Sequence, residues 1–311
     1  MRKAQRIFVP MQQTQALTKQ SLPELGELMR LYLQLGKFRL SMMVTFTTLV
    51  GYLLNADGNI YSGAVTLLLC GTLSIAMGAN GLNQWWEQER DALMLRTRTR
   101  PLPSGKLSST HALTVCLFWS VAGFMLLLQL NLLTALLAAF VWFSYLFLYT
   151  PLKTRSALAI LAGAITGALP PVMGWTAASG EVGLAAWALG CILYIWQIPH
   201  FLALAALYQQ DYHRGGYRML PDNPEHDHAT RSIIVVFSAA LLVISLLAPA
   251  LGLGGMIFFV CALAGGGWLL IQALQLLREF SRPLARKLFV ATILYLPIIM
   301  CALLLDLLFK S

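Results

Sequence analysis

The chain alternates long apolar stretches with short polar connections, and nine of the stretches are long enough to be membrane-spanning helices. About 20 apolar residues in a helix cross the roughly 30 Å hydrocarbon layer of a bilayer. The stretches are continuous and rich in Leu, Ala and Gly, whereas barrel strands would alternate over about ten residues. The pattern predicts an all-α integral membrane protein, a bundle of nine transmembrane helices. Their apolar cores are 38–54, 62–86, 110–130, 132–150, 157–177, 184–209, 231–252, 255–278 and 285–309.

The composition excludes a soluble protein. Of the 311 residues, 58% are hydrophobic and 11% are charged, with a mean hydropathy of +0.69. A disordered chain or a collagen-like rod would be more polar or glycine-periodic. The net charge of +9 resembles that of a nucleic-acid-binding protein, but the basic residues occupy positions that membrane topology explains. We therefore expect no nucleic-acid partner.

The basic residues predict the orientation of the chain. Of the 22 lysines and arginines, 21 lie before or at the start of the first span, or in and at the edges of the connections after spans two, four, six and eight, and only Lys310 lies on the other side. Basic residues concentrate on the cytoplasmic side of membrane proteins. The N-terminus is therefore predicted inside and the C-terminus outside.

The first 36 residues are polar and basic, and they lack the apolar core of a cleaved secretory signal. They are predicted to be a cytoplasmic tail, followed by one transmembrane domain over 37–311. We expect the bacterial cytoplasmic (inner) membrane. A mitochondrial inner membrane is the alternative, because four bases precede the first acid, Glu24.

Asn83, Glu87 and Asp91 follow one another at a spacing of four at the inner end of the second span. Four residues turn a helix by about 400°, so these side chains share one face. A carboxylate near the bilayer costs roughly 2.5–3.5 kcal/mol unless it is solvated or paired. Oxygen ligands of this kind suit Mg²⁺. The motif predicts a Mg²⁺ site, and the alternative is a set of solvated acids paired with neighbouring bases.

Arg96, Arg98, Arg100 and Lys106 follow the acids directly. Guanidinium groups bind phosphate through two parallel hydrogen bonds. A metal-binding face followed by these cations would together bind a diphosphate ester. The presence of Arg98 needs no binding role, because basic residues are common in cytoplasmic loops.

A second polar segment follows span six and contains Asp211, with Arg214 and Arg218 beside it. Asp211 is predicted on the same side of the membrane as Asp91, where it could complete a cage around Mg²⁺ and diphosphate or simply pair with an arginine. His200 follows Pro199 in an apolar run. A histidine there could be a haem-iron ligand, a proton shuttle or a hydrogen-bonded core residue.

Four segments of the chain carry a combined motif: Asn83 to Leu102, Tyr149 to Lys153, Gly167 to Trp175, and Trp196 to Phe201 together with Asp211 to Pro221. Together they resemble the UbiA-type membrane prenyltransferases, in the form used by the branch that farnesylates haem B. The sequence departs from that form at Glu87, where many bacterial relatives have Asp, at Ala159, where Asn is expected, and at Gly215, where Ala is usual.

The resemblance implies a central cavity roofed by the inner loops. It implies Mg²⁺-dependent transfer of a farnesyl group from farnesyl diphosphate to a vinyl group of haem B with addition of water, giving haem O and diphosphate. Asn83, Glu87, Asp91 and Asp211 would bind metal and diphosphate, and His200 would bind haem. The expected diphosphate-binding bases are Arg96, Arg100, Lys106, Lys153, Arg214 and Arg218. The expected partners are the lipid bilayer, both substrates, and haem A synthase or terminal oxidase assembly factors.

Two other functions remain open on the sequence. A related prenyltransferase could act on an aromatic acid or quinone precursor, in which case it would ignore haem. A haem transporter would move its substrate without chemical change and would tolerate Asp91→Asn.

Overall fold

The computed structural model describes residues 24–56, 58, 60–218 and 228–310, and no strand occurs in these ranges. Two irregular turns continue longer helices: a π-helical segment (Ser144–Tyr149) follows α6, and a 3₁₀ segment (Ala248–Leu251) follows α11. The helices are α1 (Leu25–Leu35), α2 (Phe38–Asn55), α3 (Ser62–Trp86), α4 (Gln88–Leu93), α5 (Ser109–Leu128), α6 (Leu132–Phe143), α7 (Thr150–Leu152), α8 (Ala159–Ser179), α9 (Leu184–Leu207), α10 (Gln209–Arg214), α11 (His228–Leu247), α12 (Met256–Arg278) and α13 (Arg282–Lys310).

Eight of the nine predicted spans are confirmed as helices long and apolar enough to cross a membrane. They are α3, α5, α6 with its continuation to Leu152, α8, α9, α11 with its 3₁₀ turn, α12 and α13. The remaining stretch forms α2, which contains Arg39 near its start and buries several hydroxyl side chains, such as Ser41 and Thr48. The ninth crossing and the orientation of the termini stay predictions.

Residues 25–35, expected to belong to a polar tail, form the amphipathic helix α1. Leu28, Leu31 and Leu35 recur at helical spacing and pack with Leu82 and Cys116. The side-chain amide of Gln84 donates to the carbonyls at the end of α1, over 2.9 and 2.6 Å. The predicted tail before residue 24 lies outside the described residues. α1 therefore packs on the bundle and fixes the point at which the chain turns into α2.

Helix α8 lies at the centre of the bundle and approaches α2 backbone to backbone. A Cβ atom on Gly51 would lie 1.9 Å from the carbonyl oxygen of Pro171, and one on Gly174 would lie 1.8 Å from that of Thr48. Only glycine fits at such contacts. α8 continues through Pro170 and Pro171 without ending.

The polar connections at one end of the bundle are joined by hydrogen bonds. Arg90 donates to the carbonyl of Gly215 at 3.0 Å, and the N–H of Arg218 donates to the carbonyl of Lys153 at 2.9 Å. Gly216, with φ of 69°, adopts the left-handed conformation that glycine tolerates and makes a tight turn after α10. The loops after α4, α7 and α10 therefore form one roof over the bundle.

At the opposite end, Asp306 of α13 caps the start of α12. Its buried carboxylate accepts the N–H groups of Gly255, Ile257 and Phe258 at 2.6, 3.1 and 2.8 Å. These N–H groups have no partner within their own helix, and the carboxylate also complements the helix dipole. The cap holds α12 against α13.

Candidate active site

A cavity of about 360 Å³ lies beneath the roof of loops, between α2, α3, α6, α8 and α9. Its end near the roof carries the charged groups, and the rest is mostly apolar. The lining includes Lys37, Leu40, Val44, Ala76, Ala79, Asn80, Asn83, Glu87, Asp91, Met94, Arg96, Arg100, Val141, Tyr145, Tyr149, Lys153, Gly163, Thr166, Gly167, Pro170, Gln197, Phe201, Leu204, Tyr212 and Tyr217.

Asn83, Glu87 and Asp91 all line this cavity, although they do not lie on one unbroken helix. α3 ends at Trp86, and Glu87 has a φ of −97° and a ψ of 8°. The N–H of Glu87 still bonds to the carbonyl of Asn83 at 3.0 Å, and the N–H of Asp91 to that of Glu87 at 2.8 Å. The four-residue register therefore continues across the break and keeps the three side chains together.

Each of the two acids has a basic partner in the cavity. Arg100 contacts Asp91 at 2.6 Å, and Lys153 contacts Glu87 at 2.5 Å. Both carboxylates are buried, Asp91 at 1% exposure and Glu87 at 5%. Such pairing offsets the cost of burying the charges. The ion pairs anticipated as the alternative to metal binding exist, and they lie within the same cavity.

Lys37 is a further basic residue of the site, one that the sequence pattern did not predict. It stands in a left-handed conformation between α1 and α2, with φ of 45°. Its ammonium donates to Oδ1 of Asn83 at 2.9 Å. Burial lowers the pKa of Lys37 to about 7, and repulsion from Arg100 and Lys153 acts in the same direction. A negatively charged ligand would relieve that repulsion.

The cavity has an excess of positive charge. Four basic side chains line it against two carboxylates, so the excess remains even when Lys37 is neutral. Besides the two partners of the acids, these are Lys37 and Arg96, whose guanidinium lies 4.9 Å above the ring of Tyr208. The excess favours a polyanion such as a diphosphate.

Tyrosines surround the charged end. The ammonium of Lys153 lies 4.8 Å from the ring centre of Tyr149 and 5.4 Å from that of Tyr217. The hydroxyl of Tyr145 donates toward Oδ1 of Asn80 at 3.2 Å and Oδ1 of Asn83 at 3.4 Å. Burial and the Glu87 carboxylate raise the pKa of Tyr217, so its hydroxyl stays protonated. The rings therefore offer both hydrogen-bond donors and π faces to a ligand.

Asp211 lies at the roof rather than in the cavity lining. One carboxylate oxygen accepts the N–H of Leu95 and the other that of Arg96, both at 3.2 Å. Arg214 contacts the first oxygen at 3.3 Å. The carboxylate thus holds the loop that carries Arg96 and Arg100.

The six basic residues expected to bind diphosphate do not all lie in the cavity. Arg96, Arg100 and Lys153 line the cavity, whereas Lys106, Arg214 and Arg218 are exposed and lie outside its lining. Within the described ranges, no group of three or more His, Cys, Asp or Glu side chains could hold a metal. A metal at this site would rely on two carboxylates and the Asn83 amide.

His200 lies on the face of α9 that meets α13, beside the face that lines the cavity. Its ring stacks between Trp196 and Phe289, with centroids 5.0 Å away on each side. Its Nδ1 lies 2.9 Å from Oγ1 of Thr292, and that hydroxyl donates to the carbonyl of Phe289. A hydroxyl has one proton to donate, so Nδ1 of His200 is the donor here and Nε2 keeps a free lone pair.

Gln197 is a further lining residue that spacing alone did not single out. Its amide donates to the carbonyl of Leu193 at 3.2 Å, and a Cβ on Gly167 would clash with its Oε1. The sequence feature that could have identified Gln197 was its position three residues before His200, in the segment that begins at Trp196. For Lys37, the signal was a lysine at the start of an apolar span.

Solved structures share this architecture. A digeranylgeranylglyceryl phosphate synthase superimposes with a TM-score of 0.76 at 16% identity, covering 90% of this chain and 99% of that one. A UbiA homologue from Archaeoglobus fulgidus, solved with GPP and Mg²⁺, gives 0.61 at 14% identity, covering 88% and 99%. At these identities the likeness shows the fold alone.

The sequence also matches relatives over nearly its full length. Protoheme IX farnesyltransferase of Solibacter usitatus is 40% identical over 288 residues, which are 89% of this chain and 99% of the relative. The protein of the same name from Opitutus terrae is 40% identical over 280 residues, covering 89% and 95%. The model of the UbiA prenyltransferase family matches residues 44–296. The chain therefore belongs to the UbiA prenyltransferase family.

Proposed function

We propose that this chain transfers the farnesyl group of farnesyl diphosphate to a vinyl group of haem B, with water added and diphosphate released. The observation that carries the proposal is the cavity, which has two carboxylates, an amide and four cations at one end and apolar walls beyond. A prenyl diphosphate has the same division into a charged head and an apolar chain. The name of the relatives supports haem as the acceptor.

The charged end of the cavity fits Mg²⁺. The oxygens of Asn83, Glu87 and Asp91 line it, and each contacts a lysine or arginine of the chain. These oxygens are the ligands that Mg²⁺ takes together with phosphate and water. Mg²⁺ held there would neutralise charge on the leaving diphosphate. The basic partners would then be released to bind the diphosphate oxygens.

Ionisation of the substrate is the step that these cations assist. When the bond between the allylic carbon and oxygen breaks, its electron pair stays with the diphosphate. Arg100 and Lys153 already lie beside the acids, and Arg96 and Lys37 complete the positive end. Donors fixed in advance stabilise such developing charge without reorganising during the step.

The remaining cavity protects the allylic cation. Leu40, Val44 and Leu204 line the apolar part, which limits the access of water. The Tyr149 ring already faces an ammonium and would stabilise a carbocation in the same way. The vinyl π electrons then bond to the allylic carbon. Water captures the positive charge next to the porphyrin ring and loses a proton.

His200 is our proposed haem ligand. Its ring is fixed by stacking on both faces, and its Nδ1 proton is used in a bond to Thr292. Histidines that bind metals through Nε2 commonly donate the other N–H to a fixed acceptor. His200→Ala should therefore weaken the binding of haem more than that of farnesyl diphosphate, and equal losses would indicate a packing defect.

The proposed membrane and the proposed recipients of the product follow from the proposed function. We propose the bacterial inner membrane, and haem A synthase or terminal oxidase assembly factors as recipients of the product. The apolar helices place the chain in a membrane.

Mass spectrometry of haem tests the proposed function. Detergent-purified protein is incubated with haem B and farnesyl diphosphate, with Mg²⁺ or with a chelator. We expect a haem that gains one farnesyl group and one hydroxyl group, only with Mg²⁺. Unchanged haem from folded protein would overturn the proposal. Prenylation of a phenolic acid instead would identify the aromatic-acceptor enzyme, and transfer of unmodified haem across vesicles would identify a transporter.

A further inference from the structure

A second cavity, about 870 Å³ in volume, lies between α12 and α13 near their connecting turn. It is separate from the active-site cavity and shares none of its lining residues. We call it the α12–α13 groove. Its lining residues are Leu207, Trp268, Gln272, Gln275, Arg282, Pro283, Arg286, Lys287 and Val290.

The α12–α13 groove carries unbalanced positive charge. Arg282, Arg286 and Lys287 are exposed, and none has a carboxylate partner among the residues that the structure describes. Arg282 and Arg286 are four residues apart and so share one face of α13. Glu279, the acid of the connecting turn, does not line the groove. Three cations in one concave surface favour an anionic ligand.

The opposite wall adds amide groups. Gln272 and Gln275 of α12 line the groove. Oε1 of Gln272 is buried and has no hydrogen-bond partner within the described part of the chain. A buried oxygen without a partner costs free energy. Turning the partly exposed Gln272 amide toward the groove would let a hydroxyl-bearing ligand satisfy this oxygen.

Apolar side chains complete the lining and indicate an amphiphile. Leu207, Trp268 and Val290 lie beside the cations, and Trp268 is 40% exposed. A small inorganic anion would not need such walls. The cations of the groove also lie at the predicted cytoplasmic ends of its helices, where anionic lipid headgroups are found, and Trp268 lies deeper, near the middle of α12.

We propose that the α12–α13 groove binds the headgroup of an anionic phospholipid. The phosphate would contact Arg282, Arg286 and Lys287, a headgroup hydroxyl would donate to Gln272, and the acyl chains would lie along Trp268 and Val290. Basic pockets between transmembrane helices on the cytoplasmic side bind such headgroups. This inference does not depend on the proposed farnesyl transfer.

Native mass spectrometry of the detergent-purified full chain tests the proposal, with phosphatidylglycerol and phosphatidylcholine as probes. We expect selective retention of phosphatidylglycerol. One cation near an anionic surface changes affinity by about fivefold, so the double variant Arg286→Gln/Lys287→Gln should bind phosphatidylglycerol about 25-fold more weakly. The charge-conserving Arg286→Lys should retain most of the affinity.

Arg278→Gln is the matched control, because Arg278 is exposed at the end of α12 and lies outside the groove. It should leave the lipid preference unchanged. Equal losses in Arg278→Gln and Arg286→Gln would overturn the proposal in favour of a general surface charge. Displacement of the lipid by millimolar inorganic phosphate would identify a free-anion site, and displacement by one equivalent of haem B would identify a porphyrin dicarboxylate site.

Thermal unfolding in detergent shows that each variant is folded. Should the double variant fail to fold, the single variant Arg282→Gln replaces it with an expected loss of about fivefold. No selectivity between the two lipids in the wild-type chain would also overturn the proposal. Because the lipid-binding measurements require no farnesyl transfer, failure of the proposed enzymatic function leaves this result unaffected.

Discussion

Glu87 and Asp91 are buried acids that line the active-site cavity with basic partners, and their substitution tests the site at the scale of single residues. Glu87→Gln and Asp91→Asn remove one charge each at almost constant volume. We expect the rate constant of farnesyl transfer to fall on the order of a hundredfold, as when one preorganised charge-stabilising group is lost. Single-turnover rates over a range of Mg²⁺ concentrations measure the effect, and more Mg²⁺ should be required.

Glu89→Gln is the control for this pair. Glu89 lies between the two acids in the sequence, but it is exposed and outside the cavity lining. The same loss of charge there should leave the rate almost unchanged. Near-normal turnover in both Glu87→Gln and Asp91→Asn would contradict the metal assignment.

Asp211 gives a second residue-scale prediction, since its two carboxylate oxygens accept the N–H groups of Leu95 and Arg96. Asn has one acceptor oxygen, so Asp211→Asn keeps only one of these bonds. A lost hydrogen bond is worth about 1 kcal/mol, which predicts a KM for farnesyl diphosphate raised about fivefold. The Mg²⁺ requirement should not change. A changed requirement would instead support Asp211 as a metal ligand.

Spacing along the chain predicted the acid motif because its members lie within about two helical turns of one another. It could not predict the contact of Lys37 with Asn83, because 46 residues separate them and only the packing of α1 and α2 on α3 brings them together. The same holds for Asp211 and Leu95, which are 116 residues apart. Residues joined by tertiary packing leave no periodic signal.

At the scale of elements, the backbone contact between α2 and α8 makes a prediction about stability. Gly174→Ala would place a methyl group 1.8 Å from the carbonyl oxygen of Thr48. Overpacking typically costs 1–3 kcal/mol, and about 3 kcal/mol is expected here because the contact is with backbone. The measurement is the thermal unfolding midpoint in detergent, which should fall markedly.

The identical substitution in α12 is the control. A Cβ atom on Gly267 would lie in open space, more than 4 Å from the neighbouring helices among the described residues. Gly267→Ala should therefore leave stability unchanged or raise it slightly, because alanine favours the helix. A fall of similar size in both variants would show that the α2–α8 contact is not the cause. Comparing the two variants separates the effect of the close backbone contact on stability from the effect of helix propensity.

Hydropathy predicted the long helices well because a bilayer imposes their length and composition. It did not predict α1, which is short and polar on one side, or the break between α3 and α4 at Glu87. Both features depend on tertiary contacts. They are also the features that bring Lys37 and Asp91 to the cavity.

At the scale of the whole molecule, some basic residues serve both topology and the site. Arg100 and Lys153 belong to the connections that the positive-inside rule assigns to the cytoplasm, and both line the cavity. The roof of loops shows that these connections lie at one end of the bundle. The proposed reaction would therefore take place on the cytoplasmic side.

Single cysteines in a chain whose five native cysteines are replaced by alanine test this orientation. Glu24→Cys, Ser104→Cys and Glu181→Cys each place a thiol at an exposed position. In intact cells, a membrane-impermeant maleimide should label only Glu181→Cys, and permeabilised cells should label all three. The reverse pattern at Ser104 and Glu181 would contradict the orientation. Labelling at Glu24 with protection at Ser104 would show that α2 does not cross, because α3 alone would then separate the two positions.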